Sequence, residues 1–184
     1  MDTGVACWEF LAEQEAFSRL GADYRVEVDP QTKKTHHVFF MPERTEDKDL
    51  KKLPDVPFEF VLSLFGSQVT DTGLKELKEL KNLAKLHLGQ RLYDGKPSLT
   101  DETMAVLTEL KALETLQLDE ARLSGAALTK LKGLPKLKRL TLHVIDIPEA
   151  DVEKLRAELA GVEVKWDKPD EKGMKYIGRF FDPK

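Results

Sequence analysis

The sequence has little of what marks several classes of protein. Its single cysteine, Cys7, cannot form a disulfide within the chain. No apolar run approaches the roughly 20 residues that a transmembrane helix needs. Lys and Arg number 29 against 33 Asp and Glu, so the net charge of −4 gives no basic excess for binding a nucleic-acid backbone. We therefore expect neither a membrane nor a nucleic acid as a partner.

The N-terminal segment contains neither a basic patch nor a long apolar stretch, and so predicts no signal peptide. Unless a leader has been removed, this favours a cytoplasmic protein. The 184 residues are 41% hydrophobic, which is enough for one packed core. No phosphate loop, dinucleotide glycine fingerprint, nucleophile elbow or H-E-x-x-H motif occurs in the sequence.

A pattern of leucines repeats along the chain. Each copy has two apolar residues two positions apart, followed by apolar residues at helical spacing. The second strand positions lie 24 residues apart, with one interval of 30 between Leu88 and Leu118: Phe40, Leu64, Leu88, Leu118 and Leu142. An insertion at residues 90–98 accounts for the longer interval. Five copies predict a stack of similar units, because one unit is too small to bury its own apolar face.

Each copy changes from the two-residue period of a strand to the period of a helix. Thr70, Thr100 and Ser124 stand at this change, where a hydroxyl can cap the first turn of a helix. Each unit is therefore predicted to be a strand, a turn and a short helix, with successive strands parallel.

The run from Val69 to Leu88, VTDTGLKELKELKNLAKLHL, resembles a leucine-rich repeat. It is similar to the cysteine-containing class written LxxLxLxxCxxITDxGL and to short bacterial proteins with tandem VTDAGLKEL units. The resemblance covers residues 35–166 and implies a right-handed α/β solenoid, with parallel strands inside the curve and helices outside. The Cys or Asn of the family is replaced here by Ser67, Ala121 and Ile145, which predicts a weak or absent internal hydrogen-bond ladder.

Three regions follow from this interpretation. Residues 1–34 are predicted to be an N-terminal cap made of a helix and a hairpin strand. Residues 35–166 hold about five repeats, and residues 167–184 form a capping tail. Caps are expected because the open ends of a repeat stack expose apolar surface. The alternative for the tail is a partner-binding arm.

The outward face of the predicted sheet is the candidate binding site. If each leucine pair faces the helices, the residues beside it face the opposite way. The candidates, with Tyr93 in the insertion, are Phe39, Met41, Val61, Ser63, Phe65, Lys85, His87, Thr115, Gln117, Asp119, Arg139, Thr141 and His143. Their N-terminal members are apolar, which indicates a contact surface unless the N-terminal helix or the insertion covers them.

Chemistry on this face is not expected. His37, His87 and His143 fall on alternate strands, too far apart to share a metal ion, so we expect no metal and no cofactor. Asp119 and His143 occupy one row on adjacent strands, where a carboxylate could orient an imidazole. No Ser or Cys nucleophile is clearly within reach, so a simple polar pair is the favoured interpretation.

The leading hypothesis is a non-catalytic, monomeric module that binds a protein or peptide on its sheet face. Two alternatives stay open. One is a structural protein that self-associates through an exposed edge or through its aromatic tail, near Phe180 and Phe181. The other, more remote, is a hydrolase-like enzyme that uses Asp119 and His143.

Overall fold

The structure is a computed structural model that describes residues 3–28, 33–89 and 99–181. Its described strands form one seven-stranded sheet in chain order: β1 (Asp23–Val28), β2 (Thr35–Phe40), β3 (Phe60–Ser63), β4 (Leu83–Gly89), β5 (Thr115–Arg122), β6 (Arg139–Asp146) and β7 (Glu163–Asp167). The pair β1–β2 is antiparallel and every other neighbouring pair is parallel. The predicted α/β class with parallel strands is confirmed.

The described α-helices alternate with these strands: α1 (Thr3–Arg19), α2 (Asp47–Leu50), α3 (Asp71–Leu74), α4 (Asp101–Leu107), α5 (Gly125–Leu128), α6 (Glu149–Glu158) and α7 (Glu171–Phe181). Helices α3 and α5 continue as 3-10 turns over Lys75–Glu79 and Thr129–Gly133. No helix in the described ranges is both long and apolar enough to cross a membrane. The predicted insertion at 90–98, with Tyr93, lies outside the described residues.

One face of the sheet packs against the helices and holds the core. On this helix-side face, Leu62, Leu86, Leu116 and Leu140 are register partners in successive strands and are at most 1% exposed. The predicted alignment of Leu88 with Leu118, and of Leu118 with Leu142, is also confirmed. Leucines from the helices complete this core: Leu74, Leu77, Leu107, Leu128, Leu131 and Leu155.

Strand β2 departs from the predicted register by one residue. Phe39, not Phe40, pairs across to the core position of Leu62, and Met41 donates its backbone N–H to the carbonyl of Ser63. A one-residue slip exchanges the two faces of a strand. Phe39 is fully buried in the core, so the prediction that it lies on the outward face is wrong; Met41 is also buried, at 5% exposure, and reaches a cavity beside Phe40. Phe40 takes the outward position beside Ser63.

An aromatic cluster explains why β2 presents Phe39 to the core. The ring of Phe17 in α1 stacks on Phe39 with centroids 3.8 Å apart, and Phe60 meets both rings at steep angles. Aromatic pairs contribute beyond the area they bury. Through Phe17, helix α1 therefore covers the core at the N-terminal end of the sheet. Phe17 does not cover the outward-facing residues.

Tyr24 and His37 lie beside this cluster. The Tyr24 hydroxyl and Nδ1 of His37 share a hydrogen bond of 2.8 Å. Burial lowers the pKa of His37 and raises the pKa of Tyr24, so each side chain is favoured in its neutral form. His37 is two residues from Phe39 and so points to the helix side.

Carboxylates link successive units on the helix layer at three junctions. Thr70 donates both its backbone N–H and its hydroxyl to the two oxygens of Asp47, each over 2.7 Å. Ser124 does the same to Asp101 at 2.8 and 2.6 Å, and the hydroxyl of Thr100 donates to Asp71. In the turns after the strands, Ser67 donates to the carbonyl of Leu64, whereas the equivalent positions in the following strands hold apolar side chains buried in the core, Ala121 and Ile145.

Candidate functional site

The face of the sheet opposite the helices carries the candidate site. We call it the outer face. In it, Ser63, His87, Gln117 and Thr141 are register partners along one row. The row before it holds Val61, Lys85, Thr115 and Arg139, and the row after it holds Gly89, Asp119 and His143. The structure therefore places these predicted residues on a common face.

Three of them form a hydrogen-bonded chain across β3, β4 and β5. Ser63 Oγ lies 3.2 Å from Nδ1 of His87, and Nε2 of the same ring lies 2.5 Å from Oδ2 of Asp119. Ser63 and His87 are adjacent in one row, while Asp119 stands one row further on. The imidazole thus joins a hydroxyl to a carboxylate.

The carboxylate of Asp119 is held from two sides. Gln117 Nε2 donates to its two oxygens over 3.2 and 3.1 Å, in addition to the contact from His87. The Asp119 side chain is only 7% exposed, whereas that of His87 is 26% exposed. A buried carboxylate needs such donors, because its desolvation is otherwise costly.

One tautomer of a neutral His87 ring fits its contacts with both Ser63 and an ionised Asp119. An ionised carboxylate only accepts, so the proton between His87 and Asp119 belongs to Nε2 of His87. In a neutral ring Nδ1 is then an acceptor, and the Ser63 hydroxyl donates to it. Asp119 therefore selects the tautomer of His87 that can take a proton from Ser63.

Phe65 follows the C-terminal end of β3 and packs on the imidazole of His87. The rings of Phe65 and His87 are stacked with centroids 5.3 Å apart. A Cβ atom on Gly89 would lie 2.4 Å from Phe65 and 2.9 Å from Cβ of Asp119. The absent side chain at Gly89 thus lets Phe65 and Asp119 approach each other. Phe65 fills the space that a side chain at position 89 would occupy.

An open cavity of about 580 Å³ begins on the other side of Phe65. Its lining residues lie at the start of β1, at the end of β2, in the turn after β2 and just after β3: Gly21, Asp23, Phe40, Met41, Pro42, Glu43, Arg44 and Phe65. We call it the Phe65 groove. Arg25 lies over the ring of Phe40 at 4.9 Å and steadies that wall. Phe65 is the residue that the groove and the His87 cluster share.

The predicted pair of Asp119 and His143 does not form. Although the two residues are register partners, His143 Nδ1 lies 3.2 Å from Oδ2 of Asp167 in β7, and Asp119 is engaged by His87 and Gln117. The His143 and Asp167 side chains are 51% and 69% exposed. The predicted pairing is therefore corrected, with His87 as the partner of Asp119.

Comparisons with known proteins give no match: no protein-family model matches the chain, and no curated protein matches it. The proposals about the cluster therefore rest on its own side chains. Among the described residues, no group of three or more His, Cys, Asp or Glu is placed to hold a metal ion.

Other predicted site residues lie at the margins of the cluster. The side chains of Val61, Lys85, Thr115, Arg139 and Thr141 are half-buried on the outer face. Tyr93 and the side chains of Phe180 and Phe181 lie outside what the structure describes. Helix α7 packs against β5 and β6, where Ile177 is fully buried.

Six groove residues were not among the predicted ones: Gly21, Asp23, Phe40, Pro42, Glu43 and Arg44. The one-residue register error in β2 hid Phe40, since it placed Phe39 and Met41 outward instead. A signal for the Ser63 contact did exist. Ser63 and His87 are 24 residues apart, which is one repeat period, and so stand side by side.

Proposed function

We propose that the chain is a short leucine-rich-repeat solenoid. Successive strand–helix units, parallel strands in chain order and register-matched leucines support this interpretation. The links from Asp47 to Thr70 and from Asp101 to Ser124 support it as well, because they recur at the same place in different units. A scaffold of this type presents one sheet face to a partner.

On that scaffold, we propose that the protein binds a peptide or an extended segment of another protein on its outer face. The observation that carries the proposal is the continuity of the Phe65 groove with the His87 cluster through Phe65. Recognition sites combine an apolar cavity with a few placed polar groups. This face offers both within neighbouring strands.

The chemistry of the ligand follows from the two halves. An aromatic or long aliphatic side chain would occupy the groove between Phe40 and Phe65. A hydrogen-bonding group next to it in the peptide would reach the edge of His87 or the amide of Gln117, both of which are half-buried. Aromatic anchors in pockets typically contribute most of the binding energy of such contacts.

Selection from a random peptide library tests the proposal. Peptides enriched on the wild-type chain would be titrated by fluorescence polarisation against the wild type, against a Phe65→Ala, His87→Ala double variant and against His143→Ala as a matched control on the same face. We expect the double variant to bind at least tenfold more weakly, equivalent to about 1.4 kcal/mol. His143→Ala should leave the affinity within twofold.

Two results would overturn the proposal. The first is a selection that enriches no peptide binding the folded wild type. The second is equal affinity for the wild type and the double variant, with circular dichroism showing that both are folded. If His143→Ala weakens binding as strongly as the double variant, the ligand lies toward the C-terminal strands instead.

A further inference from the structure

We propose that Ser63 is a nucleophile that accepts the acyl group of activated esters, with His87 as its base and Asp119 as the residue that positions His87. This capacity goes beyond peptide binding and does not depend on it. It also reverses the expectation that the chain has no catalytic chemistry.

The three relay side chains all lie in the described residues, and Ser63 itself is 5% exposed. A nucleophilic hydroxyl needs a neighbouring base, and the base needs a group that holds it in the right tautomer. Ser63 Oγ is 3.2 Å from Nδ1 of His87, and Oδ2 of Asp119 accepts a hydrogen bond from Nε2 over 2.5 Å. In this ring Nδ1 faces the hydroxyl and Nε2 faces the carboxylate. Either ring orientation would serve, because the roles require only one acceptor nitrogen and one donor nitrogen.

Second contacts fix the relay in place. Gln117 donates to both oxygens of Asp119, and Phe65 stacks on the His87 ring. The side chain of Asp119 is 7% exposed, so its attraction for a charged imidazolium is little screened by water. Such an arrangement stabilises the positive charge that develops on His87 as Ser63 attacks.

The reaction balances with water as the second substrate. Ser63 Oγ bonds to the carbonyl carbon while its proton moves to Nδ1 of His87, and the ester C–O bond breaks as the leaving alcohol takes that proton. Water then adds to the acyl carbon and gives one proton to His87. The bond to Ser63 breaks, Ser63 recovers the proton, and a carboxylic acid is released.

The groove selects the acyl group. Phe40, Met41, Pro42 and Phe65 form an apolar part of its wall next to the His87 ring, while Asp23, Glu43 and Arg44 line the rest. A short aliphatic or aromatic acyl chain fits this chemistry. The three relay side chains supply a nucleophile, a base and a positioning group only, so the proposal is limited to esters with a good leaving group, such as aryl esters.

Aryl-ester acylation of the purified full chain tests the proposal. The chain would be mixed with p-nitrophenyl butyrate, p-nitrophenolate would be followed by absorbance, and the butyryl adduct would be located by peptide mass spectrometry. We expect the adduct on Ser63. Thiols and amines such as Cys7 and the lysines also react with aryl esters, so the location of the adduct decides, rather than the release of phenolate alone.

Matched variants separate the roles. Ser63→Ala and His87→Ala should lower acylation at least tenfold, whereas Ser18→Ala, which removes an exposed hydroxyl in α1, should not change it. Asp119→Asn tests positioning: we expect kcat at least tenfold lower with KM within twofold. A merely structural role for Asp119 would change the melting temperature without this split between kcat and KM.

Any of three results would overturn the proposal. They are an adduct located away from Ser63, acylation of Ser63→Ala at the wild-type rate, and a folded wild type that gives no adduct. None of these bears on peptide affinity, so the proposed binding function and the acyl-transfer site can fail separately.

Discussion

The two faces of the sheet are built on different rules. On the helix-side face, one residue type recurs from strand to strand, and Leu62, Leu86, Leu116 and Leu140 are all at most 1% exposed. On the outer face, the corresponding row changes at every strand through Val61, Lys85, Thr115 and Arg139. Repetition marks the side that stabilises the stack, and variation marks the side on which we propose that a partner binds.

Strand β2 gives the strongest test of this contrast, because it has a phenylalanine on each face. Phe39→Ala should lower the free energy of unfolding by about 3–5 kcal/mol, since a fully buried ring is removed from the aromatic cluster. Phe40→Ala should cost less than about 1 kcal/mol, because Phe40 is half-buried at the rim of the groove. Urea denaturation measures both. Equal losses would restore the register expected from the spacing of the leucines.

The outer face itself contains two unequal contacts between a histidine and an aspartate. Asp119→Ala should cost about 1–3 kcal/mol, because it leaves the half-buried donors of His87 and Gln117 without their acceptor. Asp167→Ala should stay within about 0.5 kcal/mol, since its contact with His143 is exposed. Thermal and chemical denaturation of the two variants give the comparison. Similar losses would show that burial does not distinguish the two pairs.

The smallest effect concerns pH and the helix-side histidine, His37. Burial holds the pKa of His37 below its ordinary value of 6.5, so the unfolded chain binds this proton more readily than the folded chain. The contribution of His37 to stability is therefore present above pH 6.5 and is lost as the pH falls through its folded pKa.

Replacement with glutamine isolates this contribution. His37→Gln should flatten the decline of the free energy of unfolding between pH 7.5 and pH 5, and keeps an acceptor for the Tyr24 hydroxyl. Urea titrations at a series of pH values measure the slopes. A slope that is identical in the wild type and in His37→Gln would contradict the placement of His37.

The sequence specifies much of this fold because its repeat carries redundant signals. The period of 24 residues aligned Leu88, Leu118 and Leu142, and the hydroxyls of Thr70 and Thr100 do cap their helices, as predicted. The register of β2 was less specified. Residues 38–41 are all apolar, and an uninterrupted apolar run has no alternation that distinguishes one face from the other.

The site was harder to predict than the rows that contain it. Spacing placed Asp119 next to His143, but side-chain reach and burial decide which neighbour is engaged. His87 lies diagonally from Asp119 and is turned toward it by the packing of Phe65 in the space left at Gly89. Such three-strand arrangements depend on side-chain rotamers, which a repeat pattern does not encode.

The carboxylate links between units have an evolutionary consequence. A segment that begins with Thr-Asp, as at Thr70 and Thr100, carries both halves of its own junction, so a duplicated copy would meet a matching neighbour on each side. This continuity stops after Ser124, where Gly125 replaces the acid and a Cβ atom would lie 2.8 Å from Asp151. A repeat duplicated upstream of Ser124 would therefore form the same carboxylate link on both sides, whereas Gly125 offers no acid for the junction that follows it.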